Sequence, residues 1–294
     1  MELGIDVGGT KIQGAYLTGT DEVVLTPRMR TPASYEEFLS TLVELVETVA
    51  QQQGEPVMRI GLGLPGTCTR RRSLWVPNLP FLHERELAAE LEQRLGAAVV
   101  LSNDAQLALL GEAWRGAARG RQQVALVSVG TGVGGALMLG GRLVRGAHGS
   151  AGAFGWLTLD RTHLPDPDHG FLELVASGSA LAARGQQLDP PLTSYEVIAQ
   201  ARQGQPACLA LVKEMGHLLG LALASIASLF DPELIIITGG LCEAFDLFSP
   251  WWREDLARYG APAVRETPIV SALLGDKAAA YGALRAALSG ADFL

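Results

Sequence analysis

Residues 4 to 11 read GIDVGGTK, an apolar stretch ending in an acid, two glycines, a threonine and a lysine. Glycines let backbone N–H groups line a concavity, and a threonine hydroxyl adds a donor, so Gly8, Gly9 and Thr10 suit an anion. Asp6 falls where the strand should still be hidden, and a buried carboxylate is costly without a partner. The same chemistry recurs further on. Shifted by 122 residues, LGIDVGGTKIQGAYLTG at 3–19 lies on ALVSVGTGVGGALMLGG at 125–141. Gly8 then meets Gly130, Leu17 meets Leu139, Gly19 meets Gly141, and Ser128 stands in the place of Asp6. Two copies sharing order, turn chemistry and hairpin position imply two related lobes, each offering a Gly/Thr turn. The second turn is Gly130, Thr131 and Gly132, and the pair suits successive phosphates of one nucleotide. A third turn, Gly239-Gly240, closes ELIIITGG at 233–240. It fits either a nucleotide's base or sugar, or an ordinary tight strand-to-helix connection.

None of these turns is a Walker A loop or a dinucleotide fingerprint leading into a helix. GLGLPG at 61–66 has Gly-x-Gly-x-x-Gly spacing, but Pro65 sits inside it and TCTRRRS follows with no helical stripe. A formal charge of −8 argues against a nucleic-acid partner, which wants a basic face. Arg70-Arg71-Arg72 decorates a solvated loop or favours a polymeric anion. The three cysteines, Cys68, Cys208 and Cys242, have neither disulfide-framework nor Cys-x-x-Cys spacing.

The elements around the turns alternate. Strand patterns at 2–7, 12–17 and 22–26 make a meander of hairpins. A helix over 34–54 follows, with Ser34 and Glu37 as a capping box, a stripe of Phe38, Leu42, Leu45, Val46 and Val49, and Gly54 as its stop. Then come a strand at 57–64, a helix at 84–95, a strand at 98–102 and a helix at 103–114 capped by Asn103 or Asp104. This alternation means an α/β sheet with crossover helices. At 294 residues the chain is comfortable for two lobes. LLGLALASIASLF at 218–230 is shorter than the roughly 20 residues of a membrane span and holds Ser225 and Ser228, so it reads as a buried helix. With no basic-then-apolar leader, a cytoplasmic protein away from membranes is expected.

Taken in order, these segments resemble the ROK family of sugar kinases, over nearly the whole chain. DVGGTK and SVGTGVGG resemble its two phosphate motifs, GLGLPG its connecting segment, VPNLP at 76–80 its sugar loop, Asn103-Asp104 its catalytic pair, and LLGDKAAAYGAL at 273–284 its closing helix. The resemblance implies a two-lobed actin-like/hexokinase-like fold with a duplicated ribonuclease H-like motif. It divides the chain into a small lobe at 1–112, a large lobe at 113–274 and a returning helix at 275–294. It implies transfer of phosphate from ATP to a sugar or polyol hydroxyl, with Asp104 as general base. Asn78, Asn103, Asp104 and Glu173 would bind the sugar. Asp6, Gly8, Gly9, Thr10, Lys11, Gly130, Thr131, Gly132, Gly239 and Gly240 would bind the nucleotide, with Asp6 positioning hydrated Mg²⁺. Relatives imply a homodimer. Asn103-Asp104 taken alone reads first as a helix N-cap, and only the resemblance puts catalysis ahead.

The chain departs from the family after the second phosphate motif. GSAGAFGWLTLD has Ala153 and Trp156 in the family's Glu and His positions, and Phe171 replaces the last zinc-loop cysteine. His163, Asp166, Asp168 and His169 have no tetrahedral spacing, so no zinc site is expected. Packing of Phe154, Trp156, Phe171 and Leu172 is expected in its place, with Trp156 first as a core residue and otherwise as an aromatic stacking on a sugar ring. Losing polar sugar contacts puts glucose in doubt. A non-catalytic sensor and a polyphosphate-using kinase stay open as alternatives.

Overall fold

A computed structural model describes residues 1–163 and 166–289. They fall into two compact units. The first holds Met1–Gly120, Arg142–Ala151 and the described chain from Asp276 on; the second holds Arg121–Gly141 and Gly152–Gly275. The first unit thus extends past residue 112, because the helix Asp104–Arg115 is continuous. It also takes back a ten-residue excursion from the middle of the chain. Residues 290–294 of the expected closing segment lie outside the described residues.

The first unit opens with β1 (Glu2–Val7) and β2 (Lys11–Leu17), an antiparallel hairpin with Asp6 opposite Gln13. β3 (Val23–Leu25) and β4 (Met29–Arg30) extend β2 outward. Helix α1 (Tyr35–Gln53) starts where the Ser34 hydroxyl accepts the Glu37 N–H, and stops at Gly54 with φ of 70°. The serine half of the capping box forms; no reciprocal Glu37 bond does among the described residues. β5 (Arg59–Leu64) then lies parallel to β1. A small hairpin, β6 (Thr67–Cys68) and β7 (Ser73–Trp75), leads to α2 (Leu87–Leu95). That helix begins three residues later than its sequence pattern suggests, because Glu84 adopts a positive φ of 52° that no helix accommodates. β8 (Ala98–Asn103) pairs parallel with β5 up to Leu64 opposite Asn103, and runs directly into α3 (Asp104–Arg115).

The sheet order is β3-β2-β1-β5-β8, which leaves β8 at an edge. Leu3, Ile5, Ile60, Leu62, Val99 and Leu101 bury one layer against Phe38 and Leu42 of α1. Truncating any of these leucines to alanine costs roughly 2–5 kcal/mol.

The second unit repeats the plan. β9 (Val124–Val129) and β10 (Val133–Leu139) form the antiparallel hairpin, and the strands Leu234–Thr238 and Ile269–Ser271 add in parallel beyond β9. Hairpin followed by parallel strands is the order of both sheets, so the repeat read at a shift of 122 residues is a repeat of fold. Short helices α4 (Phe171–Ala176), α5 (Gly178–Gly185) and α6 (Ser194–Arg202) precede the long α7 (Pro206–Phe230). α7 is long and apolar enough to cross a membrane. However, Val212, Met215, Leu219, Leu223 and Ile226 are buried, and it packs along α8 (Phe245–Tyr259) in the manner of a core helix. The closing helix α9 (Ala278–Ser289) belongs to the first unit and rests on α3, β1 and β5. It starts after Gly275, whose φ of 56° breaks the helical pattern expected from 273.

Candidate active site

In the first unit the β1–β2 turn is closed by the Gly8 N–H donating to the Lys11 carbonyl at 2.8 Å. Thr31 braces it from outside, its hydroxyl donating to Gly8 O at 2.8 Å and its N–H to Thr10 O at 3.1 Å. The tip, Gly9 and Thr10, is exposed. Asn78 lies against it: a Cβ on Gly9 would sit 3.3 Å from Asn78 Cβ. Sequence places these two residues far apart; the fold brings them together.

Asp6 sits at the end of β1, opposite Gly63 of β5. A side chain at Gly63 would press on Leu107 Cδ1 at 2.9 Å and approach Asp6 Oδ1 at 3.4 Å, so the glycine leaves that carboxyl its room. Asp104 is the first residue of α3. Its Oδ1 accepts the Ala105 N–H at 2.8 Å. Asn103 caps the helix, accepting from Ala105 and Gln106, and its Nδ2 donates to Gly66 O at 2.9 Å. The N-cap expectation is met by Asn103, whose side chain performs the capping, while Asp104 stands as the first residue of the helix.

Burial, reinforced by the charge of Asp104, pushes the Asp6 carboxyl up to about 7 against the pull of Lys11 and Arg28. Burial also pushes Asp104 up to about 6, while the N–H groups of Ala105 and of Asp104 itself pull the other way. Two carboxyls that repel one another and titrate near neutrality suit proton acceptance and cation binding. Three further residues of this neighbourhood are not among the expected site residues. Gln13 sits opposite Asp6 and accepts from Arg28 Nε at 3.3 Å, and Arg28 forms an ion pair with Asp276. Gln13 follows from the hairpin register; Arg28 and Asp276 meet across 248 residues and could not be read.

In the second unit, Gly130, Thr131 and Gly132 form the matching turn, closed by the Gly130 N–H on Gly132 O at 2.9 Å. The N-terminus of α5 holds its carbonyls: Gly178 N–H reaches Gly130 O at 2.7 Å and Ser179 N–H reaches Thr131 O at 3.3 Å. Gly239 and Gly240 lie beside this turn. Gly239 has φ of 87°, and a side chain there would meet Val129 O at 2.5 Å. Glu173 is present too, its Oε2 accepting the Val133 N–H at 2.8 Å. Its carboxyl packs on Gly132, where a Cβ would come within 2.2 Å of that oxygen.

Ala153 precedes, and Trp156 ends, a short 3-10 turn at 154–156, with Phe154 buried against Phe230. Trp156 is 49% exposed, which overturns its expected place in the core. It lines a cavity of about 130 Å³ with Thr158, His163, His169 and Phe171. Among the described residues no three His, Cys, Asp or Glu side chains converge as a metal would require.

The basic run 70–72 has a local structural role. Arg71 forks onto Glu92 with both bonds at 2.6 Å, and Arg72 pairs with Glu86 at 2.6 Å. Glu92 also accepts the Val99 N–H at 3.0 Å, and the Arg70 carbonyl accepts the Leu101 N–H at 3.0 Å. These groups cover the outer edge of β8, as an exposed strand edge requires.

Comparison with known proteins places this geometry. The family model described as "ROK family" matches residues 2–289. An N-acetyl-D-glucosamine kinase of Salmonella newport is 34% identical, covering 96% of this chain and 98% of its own length. The structure of a ROK hexokinase from Thermus thermophilus superposes with a TM-score of 0.84 at 31% identity over 98% of both chains. A ROK family glucokinase from Streptomyces griseus, in complex with glucose and AMPPNP, superposes with a TM-score of 0.81 at 29% identity, covering 98% of this chain and 99% of its own.

Proposed function

The chain belongs to the ROK family, and from that membership we propose that it is a carbohydrate kinase, transferring the terminal phosphoryl group of ATP to a sugar or polyol hydroxyl. The observation that carries this reading is the pairing of Asp6 and Asp104 beside an exposed glycine turn in one unit. Phosphoryl transfer asks mainly for positioning and charge neutralisation. Asp104 would accept the proton of the attacking hydroxyl as its oxygen bonds to phosphorus and the bond to the ADP oxygen breaks; the proton then leaves to solvent. Asn78 and Asn103 would orient the sugar, and Asn103 is held rigid for this by Gly66 and the α3 backbone.

Gly8, Gly9, Thr10 and Lys11 would take phosphate oxygens in the first unit. Gly130, Thr131, Gly132, Gly239 and Gly240 would take the nucleotide in the second. The Asp6 carboxyl fits a hydrated magnesium ion: it is walled in, raised by burial, and has no hydrogen-bond partner among the described residues to satisfy it. Magnesium held there would neutralise phosphate charge. Arg71 and Arg72 being occupied by Glu92 and Glu86 favours ATP over polyphosphate as donor. Within the first unit, sugar discrimination would fall to Asn78, Asn103 and Asp104; in the second, Ala153 and Trp156 offer no carboxylate or imidazole to a sugar hydroxyl. The same reading makes the protein a cytoplasmic homodimer acting on a small molecule.

The test is a coupled ADP-release screen with MgATP against hexoses, amino sugars, N-acetylated sugars and polyols, with Asp104→Asn in parallel. Turnover that disappears in the variant is expected. Silence across the panel, with MgATP still protecting the fold from heat, would replace the kinase with a binding protein.

A further inference from the structure

We propose that Arg145 is a positioning residue for phosphoryl transfer, its Nη2 anchoring the Leu101 carbonyl and so fixing the end of β8 from which Asn103 and Asp104 project. The proposal rests on the kinase reading for its kinetic consequence but not for its geometry.

The argument starts from the outer edge of β8. In a parallel edge strand, alternate residues turn their N–H and C=O away from the sheet. Here those are Val99 and Leu101. Val99 is served by Glu92 and, at 3.4 Å, by Arg71 Nη1. The Leu101 N–H is served by Arg70 O. The Leu101 carbonyl is the last such group before the strand becomes the Asn103 cap, and Arg145 Nη2 donates to it at 3.0 Å. Arg145 lies on the 142–151 excursion, which belongs to the first unit although its sequence neighbours belong to the second.

Stability alone is a poor account of this arginine. Its Nη1 is buried with no hydrogen-bond partner, and it forms no ion pair among the described residues. An unsatisfied buried donor is expensive, and a half-buried cation with no acid beside it adds to that cost. The ionisable groups around it are Cys68 of β6 and Arg70, neither of which offers an anion: burial holds the Cys68 thiol up to about 12. A guanidinium with an orphan donor, bonded to the backbone two residues before an asparagine–aspartate pair, fits a site that serves geometry. The benefit is local rigidity. The Ala105 N–H that holds Asp104 Oδ1 keeps its aim only while the β8–α3 junction is fixed.

The test compares Arg145→Met and Arg145→Lys with the unaltered protein. Steady-state kinetics on the sugar found by the screen should show kcat of Arg145→Met down by about 10–100-fold with KM within about threefold, as for a residue acting at the transition state. The acid limb of kcat should move to higher pH, because Asp104 loses the N–H donors that favour its ionised form. Asp6 on β1 and Cys68 on β6 also face Asp104 and are unchanged by the substitution. Arg145→Lys, which keeps one donor, should recover at least about fivefold of the lost rate. Hydrogen exchange at Ala105 and Gln106 should accelerate about tenfold or more in Arg145→Met. A variant that melts earlier yet keeps kcat, the acid limb and the Ala105 exchange rate would overturn the proposal. Should Arg145→Met not fold, Arg145→Lys carries the same readouts against the unaltered protein. An unaltered protein inert with every sugar would sink the kinase reading, while exchange alone would still judge the anchor.

Discussion

The two Gly/Thr turns are built from one plan and carry different side chains. Both join antiparallel strands, both close with a glycine N–H on a carbonyl two or three residues on, and both neighbour parallel strands in the same order. The first carries Asp6 with Asp104 in electrostatic reach; the second has Ser128 in the place of Asp6. The first is braced by a threonine, the second by the N-terminus of α5 and by Glu173. The turn is thus a property of the backbone, shared by both copies. The acid pair is a property of two side chains, present in one.

The most severe way to break this comparison is Asp104→Asn. We expect kcat to fall by about 10²–10⁴-fold, the usual worth of a positioned general base, read by ADP release. Asparagine keeps Oδ1 for the Ala105 N–H, so the fold should survive. Asp6→Asn should come next, at about 10²-fold in kcat with a raised magnesium requirement. The reciprocal change, Ser128→Asp, adds a charge to the second turn and should weaken MgATP by about tenfold without creating a second active centre.

The acids also set opposite pH dependences for activity and stability. Activity should fall as pH drops through about 6, where Asp104 takes up its proton. Stability runs the other way. Both carboxyls are raised above their unfolded values near 4, so protonation favours the fold. Their contribution is full below about pH 4 and is lost as pH rises through about 6 to 7. Thermal unfolding of the ligand-free protein at pH 5.5 and pH 8 should therefore differ less in Asp6→Asn and Asp104→Asn, and both variants should melt higher at pH 8. Equal melting of variant and parent at pH 8 would mean that these carboxyls are not strained.

Glu173 sharpens the contrast at smaller amplitude. If its carboxyl serves the turn through Val133, Glu173→Gln should raise KM for MgATP about threefold and leave KM for sugar alone; if it reads the sugar, the effect reverses. Smallest of all, Arg71→Ala should cost under about 1 kcal/mol in denaturant unfolding, because the ion pair is largely exposed, and should not touch kcat.

Much of this could be read from the chain. Paired glycines after a β-pattern, the shift of 122 residues, Asn103 before a helical stripe and Gly54 after one are local signals, and each has a local physical cause. The boundaries slipped where a single residue left the expected conformation, as at Glu84 and Gly275. Trp156 was misjudged because hydrophobicity reports what a residue favours, while exposure depends on what the rest of the chain leaves uncovered. Arg71 was unreadable for a related reason. Its partner Glu92 and the strand edge they cover are 21 and 28 residues away.

The sequence by itself determined the duplicated strand–turn–strand plan, the glycine-rich turns and the identity of the acids, because backbone preference and side-chain chemistry are local properties. Tertiary structure alone decided that Asp6 and Asp104 feel each other, that Asn78 lies against Gly9, and that Arg145 meets Leu101. Those pairings depend on strand order and on an excursion of chain between units, and no local rule encodes a contact across 44 or 98 residues. Burial then raised the two carboxyls toward neutrality, and burial is a property of the whole fold.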